Sequence, residues 1–372
     1  MTKSESSWML VGSCNRAVPY FKDAQGEGIS TFGFDAQTGR AQRAALTQDI
    51  DNPTFVSVLP QRGLVLASSE VPHWLEGLLS VYRIDPDSGR LNYLNKQTTL
   101  GNTVAQHVGD ASARHAWVVN YSVNAVGEGP DQGLSVLPLA PDGRLLPARA
   151  SAAWAGQGPV AGVQERAHPH AVQVWPDERH LLVADLGCDA LLMFRWDAQA
   201  AQLELCARLQ LAPGAGPRHL AVDAARCQVY VANQIDATLA TVAVSLDPPE
   251  LRLMHCTSTL PPGVSGEGNH VSEVQLTPDG DHVLVGNRGH DSLAVYRLSA
   301  QGQPELQCHV PAGGRCPRHF AFDPSGRWLV VALQDSHVLQ VMRWEPELAR
   351  LSAWGEPLAC GSPTCVAFMP LA

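Results

Sequence analysis

The sequence predicts an all-β chain folded as a seven-bladed propeller of four-stranded antiparallel blades, a single domain over residues 1–372. Three observations predict it. A hairpin-like phrase recurs along the chain, Gly and Pro punctuate it evenly, and the C-terminus stops after one strand of a unit whose other strands stand at the N-terminus.

The phrase is clearest as PRHLAVDAARCQVYVANQ from Pro217 and PRHFAFDPSGRWLVVALQ from Pro317. PHAVQVWPDERHLLVADL from Pro169 and VSEVQLTPDGDHVLVGNR from Val271 share its pattern, and weaker copies begin at Pro53 and Val104. Each reads as an alternating strand, a polar turn and a second apolar strand. A third strand such as LLMFRW or LAVYRL follows, then a weaker fourth, giving a meander. A four-stranded unit of about fifty residues is the size of a propeller blade, which cannot bury both faces alone and must stack on neighbours.

SPTCVAFMPLA opens a seventh copy at Pro363 and ends, while WMLVGS, GISTFGFD and AQRAALTQ resemble a second, third and fourth strand. One C-terminal and three N-terminal strands therefore close the ring and remove its open edges. The pair Trp196 and Asp197 has no companion at the repeat period, which disfavours a WD40 array.

Composition narrows the function. With 45% hydrophobic and 17% charged residues the chain can bury a large core. A net charge of -10 argues against nucleic acid as a partner, since phosphate backbones are bound by basic surfaces. No stretch is long and apolar enough to span a membrane, and MTKSESSWMLVGS lacks the apolar core of a secretory signal, so a cytoplasmic protein is expected. The nine Cys form no C-x-x-C pair, which points to neither a disulfide framework nor a zinc ribbon, and no cofactor is expected. Small molecules remain as partners; the oligomeric state leaves no mark in the sequence.

In an antiparallel hairpin the start of the first strand and the end of the second lie together. One residue after each start stand Thr54, Ala105, His170, Arg218, Ser272, Arg318 and Thr364. Seventeen residues after it stand Glu70, Tyr121, Leu186, Gln234, Arg288 and Gln334, with Cys14 in the split blade. Both rings should surround the mouth of the central channel. The long segments CNRAVPYFKDAQGEG and YSVNAVGEGPDQG lie on the same rim, where loops over a rigid scaffold shape ligand sites.

Arg218, Arg288 and Arg318 suit a carboxylate or a phosphate, and His170 and Glu273 offer acid–base groups. The pair His168 and His170 has a spacing also used for metals, yet no third ligand is evident, so no metal is expected. Strand alternation turns His219 and His319 toward blade packing, as structural residues. Asp185, Asn120, Asn233 and Asn287 recur at the ends of second strands and should tie turns to backbone.

These phrases, strongest between residues 165 and 345, resemble the seven-bladed propeller lactonase family, which contains a 6-phosphogluconolactonase and the fungal carboxy-cis,cis-muconate cyclase. The resemblance implies a site of His170, Arg218, Arg288 and a Glu in the phrase V-N-E. Here that phrase is VANQ, so Gln234 stands in place of the Glu, and an amide cannot take a proton. Glu273 is the nearest substitute by register. The resemblance therefore implies a metal-independent hydrolase of an anionic sugar lactone, with His170 orienting or deprotonating the water, Arg218 and Arg288 on the anionic substrate and its oxyanion, and Gln234 as a hydrogen-bonding group. Arg318, His168, Glu70 and Tyr121 are expected as further substrate contacts. A muconate cycloisomerase and a non-catalytic binding propeller are the alternatives.

Overall fold

Each blade has one strand that is apolar on both faces, and that strand becomes its second. Leu64–Ser69, His180–Asp185, Gln228–Asn233 and Trp328–Leu333 are buried along their whole length, because a neighbouring blade covers either side. Fourth strands such as Gln202–Gln210 and Pro249–Ser258 alternate and face solvent. The computed structural model describes residues 6–124 and 128–371. Expectations that fall on residues 1–5 and 125–127, the first residues of the chain and part of the second long rim segment, lie outside the described residues.

Seven antiparallel sheets form among the described residues, six of them four-stranded and five of these plain meanders. In the remaining sheet, the blade that starts at Pro317, the fourth strand comes in two pieces, Arg350–Ala353 and Leu358–Ala359. The last sheet is assembled as expected from both ends of the sequence. Pro363–Pro370 is innermost and pairs with Ser6–Ser13, Val366 opposite Val11, followed by Ile29–Asp35 and Arg40–Thr47. The blade expected from Pro53 begins its first strand at Val56, since Asn52 holds the preceding segment irregularly through contacts to Thr54 and Glu70.

Packing explains the ring. Seven apolar clusters are found among the described residues, one at every blade interface. One of them seats Trp8 and Leu10 of the closing blade against Val65, Ala67 and Tyr82 of the next. No blade has a core of its own, so the fold holds only when each is clasped by two neighbours. Among the described residues no helix is long and apolar enough to cross a membrane.

Candidate functional site

The first strands carry a feature that strand alternation does not foresee. Pro217 pairs with Asn233 and His219 with Ala232, so Arg218 is an extra residue, a β-bulge. The same shift occurs at His170, at Arg318 and at Ala105. In the blade beginning at His270 it takes in both Ser272 and Glu273. A bulge bends the strand and re-aims its side chains. Consecutive residues can then face the channel.

The channel mouth opens into a chamber of about 590 Å³. Of the first expected ring, Thr54, Ala105, His170, Arg218, Arg318 and Thr364 line it, and of the second, Glu70, Tyr121, Gln234, Arg288 and Gln334. Ser272 is instead spent on the carbonyls of Pro317 and Gly286, and Leu186 and Cys14 are buried behind the wall. His219 and His319 also line the chamber, against the expectation that they pack between blades. The bulge beside each explains it.

Two other residues stand elsewhere than expected. His168 does not line the chamber: its ring stacks on Tyr121 with centroids 4.2 Å apart, and its Nδ1 lies 2.6 Å from the Tyr121 carbonyl. It supports Tyr121 instead of reaching a substrate. Glu273 is buried behind the wall, with Oε2 2.8 Å from His219 Nδ1 and 3.2 Å from His319 Nε2. It reaches the chamber only through those rings.

The three guanidiniums are not equivalent. Arg318 donates to Gln334 Oε1 at 2.8 Å and lies 3.5 Å from Glu70 Oε2. Its guanidinium carbon also sits 5.7 Å from the ring centroid of Tyr20. Glu70 is held in turn by Thr54 Oγ1 at 2.5 Å and by the Tyr20 hydroxyl. Burial works against the charge of Arg318, but Glu70 and Tyr20 outweigh it and its pKa rises.

Among the described residues Arg288 has neutral acceptors only, Gln234 Oε1 at 2.8 Å and the carbonyls of His270 and Val271. Burial brings its pKa down to about 10, with Arg318 adding to the effect. Arg218 donates from Nη1 to the Ser272 carbonyl at 2.9 Å, while its buried Nε has no partner among the described residues. Burial, then Arg288 and Arg318, depress it well below the ordinary range of an arginine. A guanidinium does not shed its proton in a protein, so a buried Arg218 with an unpartnered Nε among the described residues favours an anion beside it.

His170 stays a neutral imidazole. Burial comes first among the causes, followed by the charges of Arg218, His219, Arg318 and Arg288, and together they lower its pKa well below 6.5. Among the described residues no group of three metal-ligating side chains converges.

Tyr20 escapes sequence reasoning. It sits on the first long rim segment, which is expected to shape a pocket, but a loop outside the repeat register gives no hint of which residue points inward. Most of the expected turn ties are present: Asp185 Oδ1 accepts from the backbone of His168, Gly187 and Cys188, and Asn120 and Asn287 bind carbonyls of neighbouring turns. Asn233 differs, since its amide donates to the Thr238 hydroxyl at 2.9 Å across its own hairpin.

Comparison with known proteins agrees with this architecture. The chain is 28% identical over 344 residues to the 6-phosphogluconolactonase of Bacillus subtilis, covering 92% of this chain and 95% of that one. It is 27% identical over 349 residues to the 6-phosphogluconolactonase of Formosa agariphila, with 92% and 94% covered. Among solved structures, the periplasmic gluconolactonase of Pseudomonas aeruginosa superposes with a TM-score of 0.86 at 27% identity, covering 99% of this chain and 100% of that one. The family described as "Lactonase, 7-bladed beta-propeller" matches residues 9–368, from the second strand of the split blade to its innermost strand. Since that span takes in all seven blades and every residue of the chamber, the chain belongs to the seven-bladed propeller lactonase family.

Proposed function

We propose that the chain hydrolyses an anionic sugar lactone without a metal ion, 6-phosphogluconolactone being the leading substrate by similarity to its relatives. The observation that carries the reading is the pair Arg218 and Arg288: a buried and a half-buried guanidinium beside one chamber with no carboxylate within ion-pair distance among the described residues. Such charge calls for an anion, and an ester carbonyl that becomes an oxyanion on attack is stabilised by the same groups.

In this reading Arg288 binds the anionic group of the substrate, and the charge of the Arg218 guanidinium at the chamber wall stabilises the carbonyl oxygen as it gains charge. Gln234, its oxygen engaged by Arg288, keeps its amide hydrogens for a sugar hydroxyl. His170, neutral beside them, orients the attacking water. Water adds to the carbonyl carbon, the ring C–O bond breaks, and the product is an open-chain hydroxy acid.

The setting taken is the cytoplasm, and the partner a small anion. Nine cysteines, none bonded to another among the described residues, suit a reducing compartment. Purified protein assayed against phosphorylated and neutral sugar lactones and a carboxymuconate, with and without chelator, tests the reading. Hydrolysis of an anionic lactone that survives chelation supports it, and turnover of the muconate alone, or of nothing, removes it.

A further inference from the structure

His219 and His319 occupy equivalent places in two copies of the repeat, and one carboxylate stands between them. Glu273 Oε2 is 2.8 Å from His219 Nδ1 and 3.2 Å from His319 Nε2. The shorter contact has ion-pair distance without full hydrogen-bond alignment, so it gains most when the ring becomes charged. The other nitrogen of His219, Nε2, has no protein partner among the described residues. Its ring lines the chamber, 5.4 Å between centroids from His170.

His170 has the opposite setting. Its Nδ1 is buried and unpartnered, and the guanidiniums of Arg218, Arg288 and Arg318 are the charges around it. A proton taken there would add a cation to a cationic wall with no acid against it. A proton taken by His219 is met by Glu273.

We infer that His219, held and charge-balanced by Glu273, is the group that accepts the proton of the attacking water. This rests on the lactonase reading. The water oxygen bonds to the carbonyl carbon as one of its protons passes to His219 Nε2, and the carbonyl electron pair moves to the oxygen beside Arg218. When the tetrahedral species collapses, the ring C–O bond breaks and the same proton goes to the departing ring oxygen, leaving a hydroxyl and a carboxylic acid that ionises.

His219 is then a catalytic residue and Glu273 a positioning residue. Burial alone would raise the Glu273 carboxyl, but His219, His319 and Arg218 outweigh it and hold it at about 2, so it is ionised wherever the enzyme works. Burial lowers His219, Glu273 opposes, and Arg218 and Arg288 lower it further, so its acid limb falls below the usual histidine value. Burial also lowers the other titratable rings facing it, His319 to about 4 and His170 well below the usual value.

The full-length protein tests this on whichever lactone the wild type hydrolyses, with affinity for the hydrolysis product measured on each variant. His219→Asn should lower kcat by about a hundredfold, as loss of a general base does, with KM within about threefold and the acid limb of kcat gone. Glu273→Gln should lower kcat by about tenfold and move the acid limb to lower pH, because His219 without its carboxylate is harder to protonate. His170→Asn, which loses the group that orients the water, should lower kcat less than His219→Asn does and leave the limb in place.

If Glu273→Gln does not fold, His219→Ala carries the test, with added imidazole restoring part of its turnover. A His219→Asn enzyme within threefold of wild-type kcat, or an acid limb lost in His170→Asn alone, overturns the inference and leaves the lactonase reading standing. A wild type inert toward every lactone removes that reading and the inference with it.

Discussion

The chain spells Pro-Arg-His twice, and the two copies end in different electrostatic states. Arg318 is saturated: Glu70, Gln334 and the ring of Tyr20 surround its guanidinium. Arg218, on the same bulge one hundred residues earlier, has a backbone carbonyl at one nitrogen and, among the described residues, no partner at its buried Nε. Repetition fixed the backbone, and the ring partners decided the chemistry. Across from the first strand, Glu70 faces Arg318, whereas Gln234 faces Arg288 and leaves that side of the chamber cationic.

The comparison breaks first at Arg218. Arg218→Met should lower kcat/KM on an anionic lactone by about a thousandfold, the scale of a lost oxyanion donor in a buried site. Its melting temperature should hold or rise, because an uncompensated buried charge is removed. Steady-state kinetics beside thermal melting checks both, and a large loss of stability with activity kept would reverse the roles given to the two arginines.

Arg318→Met should do the reverse. It leaves Glu70 buried without its cation, at a cost of about 3 kcal/mol in stability, while Arg318→Met with Glu70→Gln should recover most of that. Denaturant melts of the two single variants and the double one measure the coupling. Additive losses would mean that the pair contributes no structural coupling.

A smaller contrast separates histidines with and without a carboxylate. His107 is wholly buried between Ser57 Oγ at 2.9 Å and the Phe55 carbonyl at 3.2 Å, and burial lowers its pKa to about 4. The unfolded chain then binds the extra proton between pH 6.5 and 4, so stability is full above 6.5 and falls as pH drops through that window. At pH 5 the loss is about 2 kcal/mol from this residue. Melting of wild type and His107→Gln from pH 7.5 to about 5 checks the sign, since the variant should lose less on acidification.

Much of this was legible in the sequence, and the misses share one cause. The blades, the closure at Val366 and most of both rings around the mouth, Ser272, Leu186 and Cys14 excepted, follow from counting, because each repeat sets its strands in the same register. Alternation, applied without the bulge, sent His219 and His319 into the blade packing. A one-residue insertion into a strand changes which face every later side chain takes, and it has no distinct composition. His168 was misplaced for another reason. Tyr121, from the preceding blade, lies against it, and contacts between blades are invisible to a reading made along one strand.

The smallest expected effect is also the sharpest use of the comparison. Gln234→Glu gives Arg288 the acid that Arg318 already has, turning the open side of the chamber into a second closed one. The new carboxylate would meet Arg288 Nη2 at the 2.8 Å now held by the amide oxygen, so no repacking is required. An anionic substrate would then compete with the introduced carboxylate for the same guanidinium. KM for an anionic lactone should rise by about tenfold, near 1.4 kcal/mol, with kcat within a few-fold and a smaller effect at high salt. A neutral lactone of the same ring size should show no rise, since it never used that charge. An equal rise for both would mean that Gln234 acts through shape. A large gain in turnover would mean instead that the carboxylate serves as a proton acceptor and that the native chain works without its best base.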